Sequence, residues 1–182
     1  AYDERGLLGL AFSPTFSTPG SPGYGKLYTY TSEPVTRQAD FTVSMPAGSV
    51  FNHQNVVTEW SVDPSNPDII NPASRREIMR VDWPQTNHNG GMLAFGPDNL
   101  FYIAMGDGGQ GNDAGPGHGT TGNARDLSNP LGDVLRIDPH GTNSANGQYG
   151  IPNDNPFVGT PGALGEIYAS GVRNPWRFSF DN

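Results

Sequence analysis

Hydrophobic and polar residues alternate in short runs along the chain, and Gly, Pro, Asn and Asp separate the runs. Two of these runs flank the turn Gly96-Pro97-Asp98-Asn99, which is typical of paired antiparallel strands. The same pattern predicts strands at 7–12, 27–32, 55–62, 92–96, 100–105, 133–138 and 176–180. Because no stretch has the regular apolar stripe of an amphipathic helix, we predict an all-β fold.

One strand-and-turn pattern recurs along the chain. It is present as "GLAFSPT" (9–15), "MLAFGPDN" (92–99) and "RFSFDN" (177–182). The strands that follow the first two copies suggest the four-stranded blade of a β-propeller. The copies are about twice as far apart as the usual blade repeat of roughly 40 to 45 residues. Long insertions at 33–52 and 110–129 absorb part of this excess, and a blade of weak signal would account for the rest. We therefore predict an incomplete propeller of about three blades, in preference to a small β-sandwich.

Composition excludes several classes of function. The 25 Gly and 17 Pro suit short strands and loops, and the net charge of −8 leaves no basic stripe for nucleic acid. No apolar run approaches the roughly 20 residues that a membrane-spanning helix needs. There are no cysteines, so disulfides and thiolate metal sites are excluded.

The two ends of the sequence indicate that the chain is part of a larger domain. A strand is predicted from residue 7 onward with no signal peptide before it, and the sequence stops at 182 where a turn is expected. We expect residues 1–182 to form a partial propeller domain, truncated at the C-terminal end and also at the N-terminal end.

A histidine at the entrance of a strand is the first candidate for chemistry. His88 lies in "NHNGG", directly before the strand predicted at 92–96. Its imidazole can act as a base near neutral pH, and Gly90 and Gly91 would let the backbone approach a ligand. The plain alternative is a histidine that caps the strand.

Five stretches in register resemble the glucose/sorbosone dehydrogenase family. They are "ERGLLGLAFSP", "NHNGGMLAFGPDNLFYIAMGDGG", "DLSNPLGDVLRIDPHG", "YGIPNDNPFVG" and "EIYASGVRNPWRFSFD". The resemblance implies a soluble six-bladed β-propeller that oxidises an aldose sugar to its lactone with pyrroloquinoline quinone (PQQ) and calcium. It also implies a periplasmic or secreted protein with a cytochrome or quinone as electron acceptor. The calcium ligands would lie beyond residue 182.

The resemblance assigns roles to three residues. His88 matches the general base that takes the proton from the anomeric hydroxyl, and Arg173 and Asn174 in "GVRNPW" match the pair that contacts PQQ. A guanidinium suits the carboxylates of PQQ, although a surface arginine closing a turn would look the same. Asn87 departs from the aspartate that some members have, so the tuning of the base stays open.

Weaker candidates are interpreted structurally. Asp107, Asp113 and Asp126 surround a glycine-rich loop, and we favour a solvated loop over a calcium site. The remaining expectations assign each residue a place in the fold: His118 and His140 exposed, His53 a cap or turn contact, Arg136 and Asp138 on an outward strand face, and Trp60, Trp83 and Trp176 in the core.

Two other functions stay open. Relatives of this propeller that resemble hedgehog-interacting proteins bind partners and carry out no redox chemistry. The chain by itself would also be an inactive fragment if the rest of its site lies elsewhere. The presence of His88 with Arg173 and Asn174 favours the enzyme.

Overall fold

Eight strands form two antiparallel sheets in the computed structural model, which describes residues 2–181. The first sheet has the order β1 (Leu7–Phe12), β2 (Lys26–Glu33), β3 (His53–Asp63) and β4 (Asn66–Trp83). The second has the order β5 (Leu93–Phe95), β6 (Phe101–Ala104), β7 (Asp133–Ile137) and β8 (Ile167–Ser170). In both sheets each strand pairs with the next strand along the chain, which is the order of a propeller blade.

The described residues contain two blades, where the sequence predicted about three. The strands predicted between 7 and 138 are present to within a few residues. The strand predicted at 176–180 is absent, because no other strand pairs with this segment within residues 2–181. Nor is there a hidden blade between the repeats, because β4 is 18 residues long and loops take up the remaining excess.

A single apolar core lies between the two sheets. Its largest fully buried side chains include Trp83, Tyr28, Tyr30, Tyr149 and Phe101. Strands β1 and β2 contact β5, so the innermost strands of the blades lie side by side. The long β3–β4 hairpin extends beyond this core, which explains why the first half of β4 is exposed.

Antiparallel pairing gathers the candidate residues at one end of both sheets. Strands β1, β3, β5 and β7 begin at this end, and β2, β4, β6 and β8 finish there. We call it the site end. Glu4, His88, Asp107 and Asn174 all lie in connections at the site end.

Helical structure is nearly absent. The only helical element within residues 2–181 is the short 3-10 turn Asn123–Arg125. Across the same residues, no helix has the length and apolar character required to cross a membrane.

Candidate functional site

His88 is held by a buried carboxylate. Its Nδ1 lies 2.7 Å from Oδ1 of Asp107, which follows β6, and the two side chains are only 4% and 1% exposed. A carboxylate accepts hydrogen bonds, so in the neutral imidazole Nδ1 of His88 carries the proton and Nε2 keeps its lone pair. This tautomer is the one that a general base requires.

Asp107 is fixed in turn by its own surroundings. Its Oδ1 also accepts the amide of Gly109 at 3.1 Å, and its amide donates to the carbonyl of Arg173 at 2.9 Å. Burial raises the pKa of the Asp107 carboxyl above its usual value, and the hydrogen bonds from His88 and Gly109 offset part of this rise. Sequence analysis assigned Asp107 to a solvated loop, which is wrong because its side chain is buried and bonded to His88. A local sequence pattern does not show this distant partner.

The backbone of His88 adopts an unusual conformation. Its φ angle is 55°, in the left-handed region that costs a residue with a side chain roughly 1–2 kcal/mol. Its amide donates to Oε2 of Glu4 at 2.7 Å. The same Glu4 oxygen accepts Nδ2 of Asn174 at 3.0 Å, and Oδ1 of Asn174 accepts the amide of Gly90 at 3.0 Å. Glu4 was missed by the sequence analysis, because nothing in "DERGLL" indicates a partner 84 residues away.

Arg173 and Asn174 differ in what they offer a ligand. The side chain of Asn174 is half-buried and holds Glu4 and Gly90, whereas Arg173 is exposed. Within residues 2–181 the Arg173 guanidinium makes no hydrogen bond or ion pair, so it is available to an anion.

A cavity of about 450 Å³ opens beside these residues. Glu4, Asn89 and Gly90 line it together with Leu7, Leu8, Trp176 and Arg177. His88, Arg173 and Asn174 are not among the lining residues, although Asn89 and Gly90 directly follow His88 in sequence and Glu4 bonds both His88 and Asn174. Trp176 was predicted in the core, but its side chain is 59% exposed because it lies on the unpaired segment after β8.

The two glycines after His88 are required by packing within the protein. A Cβ at Gly90 would lie 2.7 Å from the carbonyl oxygen of Ala104, and one at Gly91 would lie 2.5 Å from Cβ of Leu8. Both glycines also have positive φ angles, of 64° and 105°. We expected these glycines to leave room for a ligand. The structure shows instead that they allow close packing against β6 and β1, although Gly90 also lines the cavity.

A second histidine supports the loop that carries His88. His53 is the first residue of β3 and is buried, with Nε2 2.7 Å from Oδ1 of Asn89 and Nδ1 3.1 Å from Oδ1 of Asn52. Burial lowers its pKa to about 4. Sequence analysis treated His53 as a cap or turn contact, and it is instead a buried donor to the loop beside His88.

The loop 110–126 is ordered by its own side chains. Asp113 accepts the amides of Asn123 and Ala124 at 2.8 and 2.9 Å, and it also bonds Nδ1 of His118 at 2.7 Å. The prediction that His118 is exposed is wrong, since its side chain has no exposed surface. Asp126 instead accepts the amide and the hydroxyl of Ser128, so the acidic side chains of this loop have different partners.

No metal site is formed by the side chains that the structure describes. Within residues 2–181, no group of three or more His, Cys, Asp or Glu side chains is arranged to hold an ion. Asp107, Asp113 and Asp126 each bond a separate set of donors.

Other sequence expectations have mixed outcomes. Arg136 was placed on an outward strand face but is buried, where it pairs with Asp98 and Asp154. His140 is exposed, as predicted. Among the tryptophans, Trp83 is fully buried in the core. Trp60 is half-buried and donates to Thr29 Oγ1 at 2.9 Å.

Asp133 is a buried acid that the sequence analysis did not single out. It begins β7, is 1% exposed, and both carboxylate oxygens are buried without a hydrogen-bond partner within residues 2–181. Burial raises its pKa to about 8.

Curated relatives of this chain include hedgehog-interacting protein, a HIPL protein and a quinoprotein dehydrogenase. The chain is 32% identical to HIPL1 protein from Arabidopsis thaliana and 32% identical to hedgehog-interacting protein from Homo sapiens, with 98% of the chain matched in each case. It is 27% identical to quinoprotein glucose dehydrogenase B from Acinetobacter calcoaceticus over 99% of its length. The chain spans 28%, 23% and 34% of these three relatives.

Solved structures agree with the fold. A glucose dehydrogenase matches 93% of the chain with a TM-score of 0.62 and 23% identity, and the match covers 39% of that protein. The PQQ-bound aldose sugar dehydrogenase from Streptomyces coelicolor matches 96% of the chain with a TM-score of 0.56 and 24% identity, over 38% of its own length. At these identities the similarity concerns the propeller fold alone.

The family assignment rests on the whole length of the chain. The model of the glucose/sorbosone dehydrogenase family matches residues 1–182, which include both blades and every residue described at the site end. Two consecutive propeller blades, with the motifs around His88 and Arg173 at their shared end, agree with that match. The chain therefore belongs to the glucose/sorbosone dehydrogenase family.

Proposed function

We propose that this chain contributes the general base and one cofactor anchor of a PQQ-dependent enzyme that oxidises an aldose sugar to its lactone. The observation that carries the proposal is the bond between His88 and Asp107, because it leaves Nε2 of a buried imidazole free to accept a proton. The sugar binds next to the cavity at the site end, where Glu4 and Gly90 meet Trp176.

The residues present fit an anionic cofactor. The exposed guanidinium of Arg173 makes no ion pair within residues 2–181 and suits a carboxylate of PQQ. Asn174 has one N–H left after its bond to Glu4, and this N–H is available to the same ligand. When bound, PQQ would accept the hydride from the anomeric carbon. Calcium, which the family resemblance also implies, would bind to groups outside the described residues.

The chain's own contribution to the reaction is proton transfer. Nε2 of His88 accepts the proton of the anomeric hydroxyl as the C1–H bond breaks, which leaves the C1=O bond of the lactone. Asp107 then faces an imidazolium through Nδ1 and stabilises it, because the two groups lie 2.7 Å apart in a buried site. Arg173 and Asn174 orient the cofactor, and His88 performs no redox step.

A second function is supported by the relatives. Two relatives that are 32% identical over 98% of the chain are HIPL1 protein and hedgehog-interacting protein. On this alternative the chain is part of a propeller that binds a protein partner without oxidising a sugar. The two functions differ in whether PQQ binds at the site end.

One experiment separates the two functions. The full-length protein is titrated with PQQ in the presence of calcium and followed by visible absorbance, and dye reduction is then measured with a panel of aldoses. The enzyme predicts saturable PQQ binding and aldose-dependent dye reduction. A full-length protein that binds no PQQ and reduces no dye with any aldose would support the binding protein instead.

The cellular location of the protein and its electron acceptor are also proposals. We infer a periplasmic or secreted enzyme that passes electrons to a cytochrome or a quinone, as the family resemblance implies. A fractionation of the source cells that places the protein in the cytoplasm would contradict this.

A further inference from the structure

One carboxylate joins three segments at the site end. Glu4 precedes β1, His88 precedes β5 and Asn174 follows β8, so the three residues come from distant parts of the chain. Oε2 of Glu4 accepts both the amide of His88 at 2.7 Å and Nδ2 of Asn174 at 3.0 Å. The segments that begin both blades and the segment that leaves the second are therefore tied at a single oxygen.

Two further bonds close this arrangement. The amide of Glu4 donates to the carbonyl of Thr86 at 2.9 Å, and Oδ1 of Asn174 accepts the amide of Gly90 at 3.0 Å. The backbone is thus bonded on both sides of His88, at Thr86 and at Gly90, as well as at His88 itself. Because the backbone is held at these three positions, the main chain that carries the imidazole has little freedom to move.

The conformation of His88 makes this restraint necessary. Its φ angle of 55° is unfavourable for a residue with a side chain, and its amide would otherwise be left in a buried site without an acceptor. A bond from an amide to a carboxylate is stronger than a bond to a neutral oxygen. Glu4 therefore stabilises the backbone geometry in which the imidazole contacts Asp107.

We propose that Glu4 is a positioning residue for His88, which acts by holding the main chain of His88 in its left-handed conformation through one carboxylate oxygen. The proposal rests on the proposed role of His88 as general base. The competing role is direct contact with the sugar, because Glu4 also lines the cavity.

The first test does not depend on activity. Amide hydrogen exchange at His88 is measured in the full-length protein as wild type, Glu4→Ala, Glu4→Gln and Asp3→Ala. Loss of a charge-assisted hydrogen bond should speed exchange at His88 by about 10- to 100-fold in Glu4→Ala. Glu4→Gln should lie between wild type and Glu4→Ala, because its amide oxygen can accept the same two bonds but without the negative charge.

Asp3→Ala is the matched control. Asp3 lies next to Glu4 and carries the same charge, but it bonds Arg5 and not His88. The rate of amide exchange at His88 in Asp3→Ala should equal that of wild type. Unchanged exchange at His88 in Glu4→Ala, or an equal increase in Asp3→Ala, would overturn the proposal.

The second test is a double-mutant cycle in the protein loaded with PQQ and calcium. Glu4→Ala should lower kcat by roughly 10²-fold through a misplaced base, with a smaller change in KM, and Glu4→Gln should restore most of the rate. In a His88→Gln background, Glu4→Ala should have little further effect on kcat, since a positioning residue acts only through the group that it positions.

The outcomes distinguish the inference from the proposed function. An equal loss from Glu4→Ala with and without His88 would mean that Glu4 contacts the sugar directly and that the positioning role is wrong. A wild-type protein that oxidises no aldose would overturn the proposed function instead. The exchange test would still decide whether Glu4 holds His88.

Discussion

His53 and Asn89 are joined by a buried hydrogen bond of 2.7 Å that connects the first strand position of β3 to the loop beside His88. Oδ1 of Asn89 also accepts Nδ2 of Asn55 at 2.8 Å, and the carbonyl of Asn89 accepts the hydroxyl of Tyr30 at 3.0 Å. The loop between the blades is therefore fixed by the first blade as well as by Glu4.

The first prediction concerns the pH dependence of stability. Burial lowers the pKa of His53 to about 4 from 6.5, so the unfolded state binds more protons than the folded state between these values. The free energy of unfolding should therefore fall as the pH drops from 6.5 to 4, by on the order of 3 kcal/mol from this residue. His53→Gln should remove that part of the slope.

Urea unfolding of the full-length protein at a series of pH values measures this slope. His140→Gln is the comparison: partial burial lowers the pKa of His140 as well, but this side chain makes no hydrogen bond within residues 2–181, so its substitution should remove a smaller part of the slope. An identical slope in wild type and His53→Gln would show that His53 does not titrate in this way.

The second prediction separates the proposed role of His88 as base from the proposed role of Arg173 as cofactor anchor. His88→Gln should lower kcat by roughly 10²- to 10⁴-fold, because the group that accepts the proton is lost, while affinity for PQQ changes little. Arg173→Ala should weaken PQQ binding through the lost carboxylate contact. Dye-linked turnover and PQQ absorbance titrations measure the two effects. Near-normal turnover of His88→Gln at saturating PQQ and calcium would contradict the role of the base.

The third prediction concerns the tautomer of His88. In Asp107→Asn the side-chain amide can present its N–H to Nδ1, which would place the ring proton on Nε2 and block proton acceptance. We expect kcat to fall by about 10²-fold with the fold intact. Turnover measurements and the nitrogen NMR shifts of the imidazole report rate and tautomer together. A fall in rate without a change of tautomer would argue against this explanation.

The fourth prediction concerns the unpaired acid at the start of β7. Burial raises the pKa of Asp133 to about 8 from 3.8, so the folded state binds more protons than the unfolded state between these values. The contribution of Asp133 to stability is thus present at acid pH and is lost as the pH rises to about 8. Asp133→Asn should unfold at a higher temperature than wild type at pH 8, and the difference should disappear near pH 4.

Thermal unfolding at both pH values checks this prediction. Asp154→Asn serves as the control, because Asp154 is an exposed acid and its pKa is lowered, chiefly by its hydrogen bond to Arg136. A difference between Asp133→Asn and wild type that does not vary with pH would exclude titration of Asp133 as its cause.

The fifth prediction concerns the apolar side chains on the innermost strand. Leu7, Leu10 and Phe12 of β1 are 64%, 50% and 53% exposed on a strand whose other edge is unpaired. Expressed alone, residues 1–182 should associate or be poorly soluble. Sedimentation velocity measures this, and Leu10→Lys should reduce the association. A monodisperse monomer with cooperative unfolding would contradict the prediction.

The sequence by itself determined the local structure of this protein. Alternation of apolar and polar residues and the Gly, Pro and Asp turns predicted β1 to β3 and β5 to β7, because these signals arise within a few residues, but the strand list did not include β4 or β8. The motif around His88 likewise marked the base candidate before any partner was known. The strand at 176–180 failed because strand pairing needs a neighbour that a local pattern cannot supply.

Only the tertiary structure decided which residues support that base. Asp107, Glu4 and His53 meet the His88 loop from 19, 84 and 36 residues away in sequence. The burial of Arg136 was equally hidden, because Asp98, the acidic partner that makes burial tolerable, lies 38 residues away in the chain. Contacts of this kind depend on how the two blades pack against each other, whereas a sequence pattern reports only what neighbouring residues prefer.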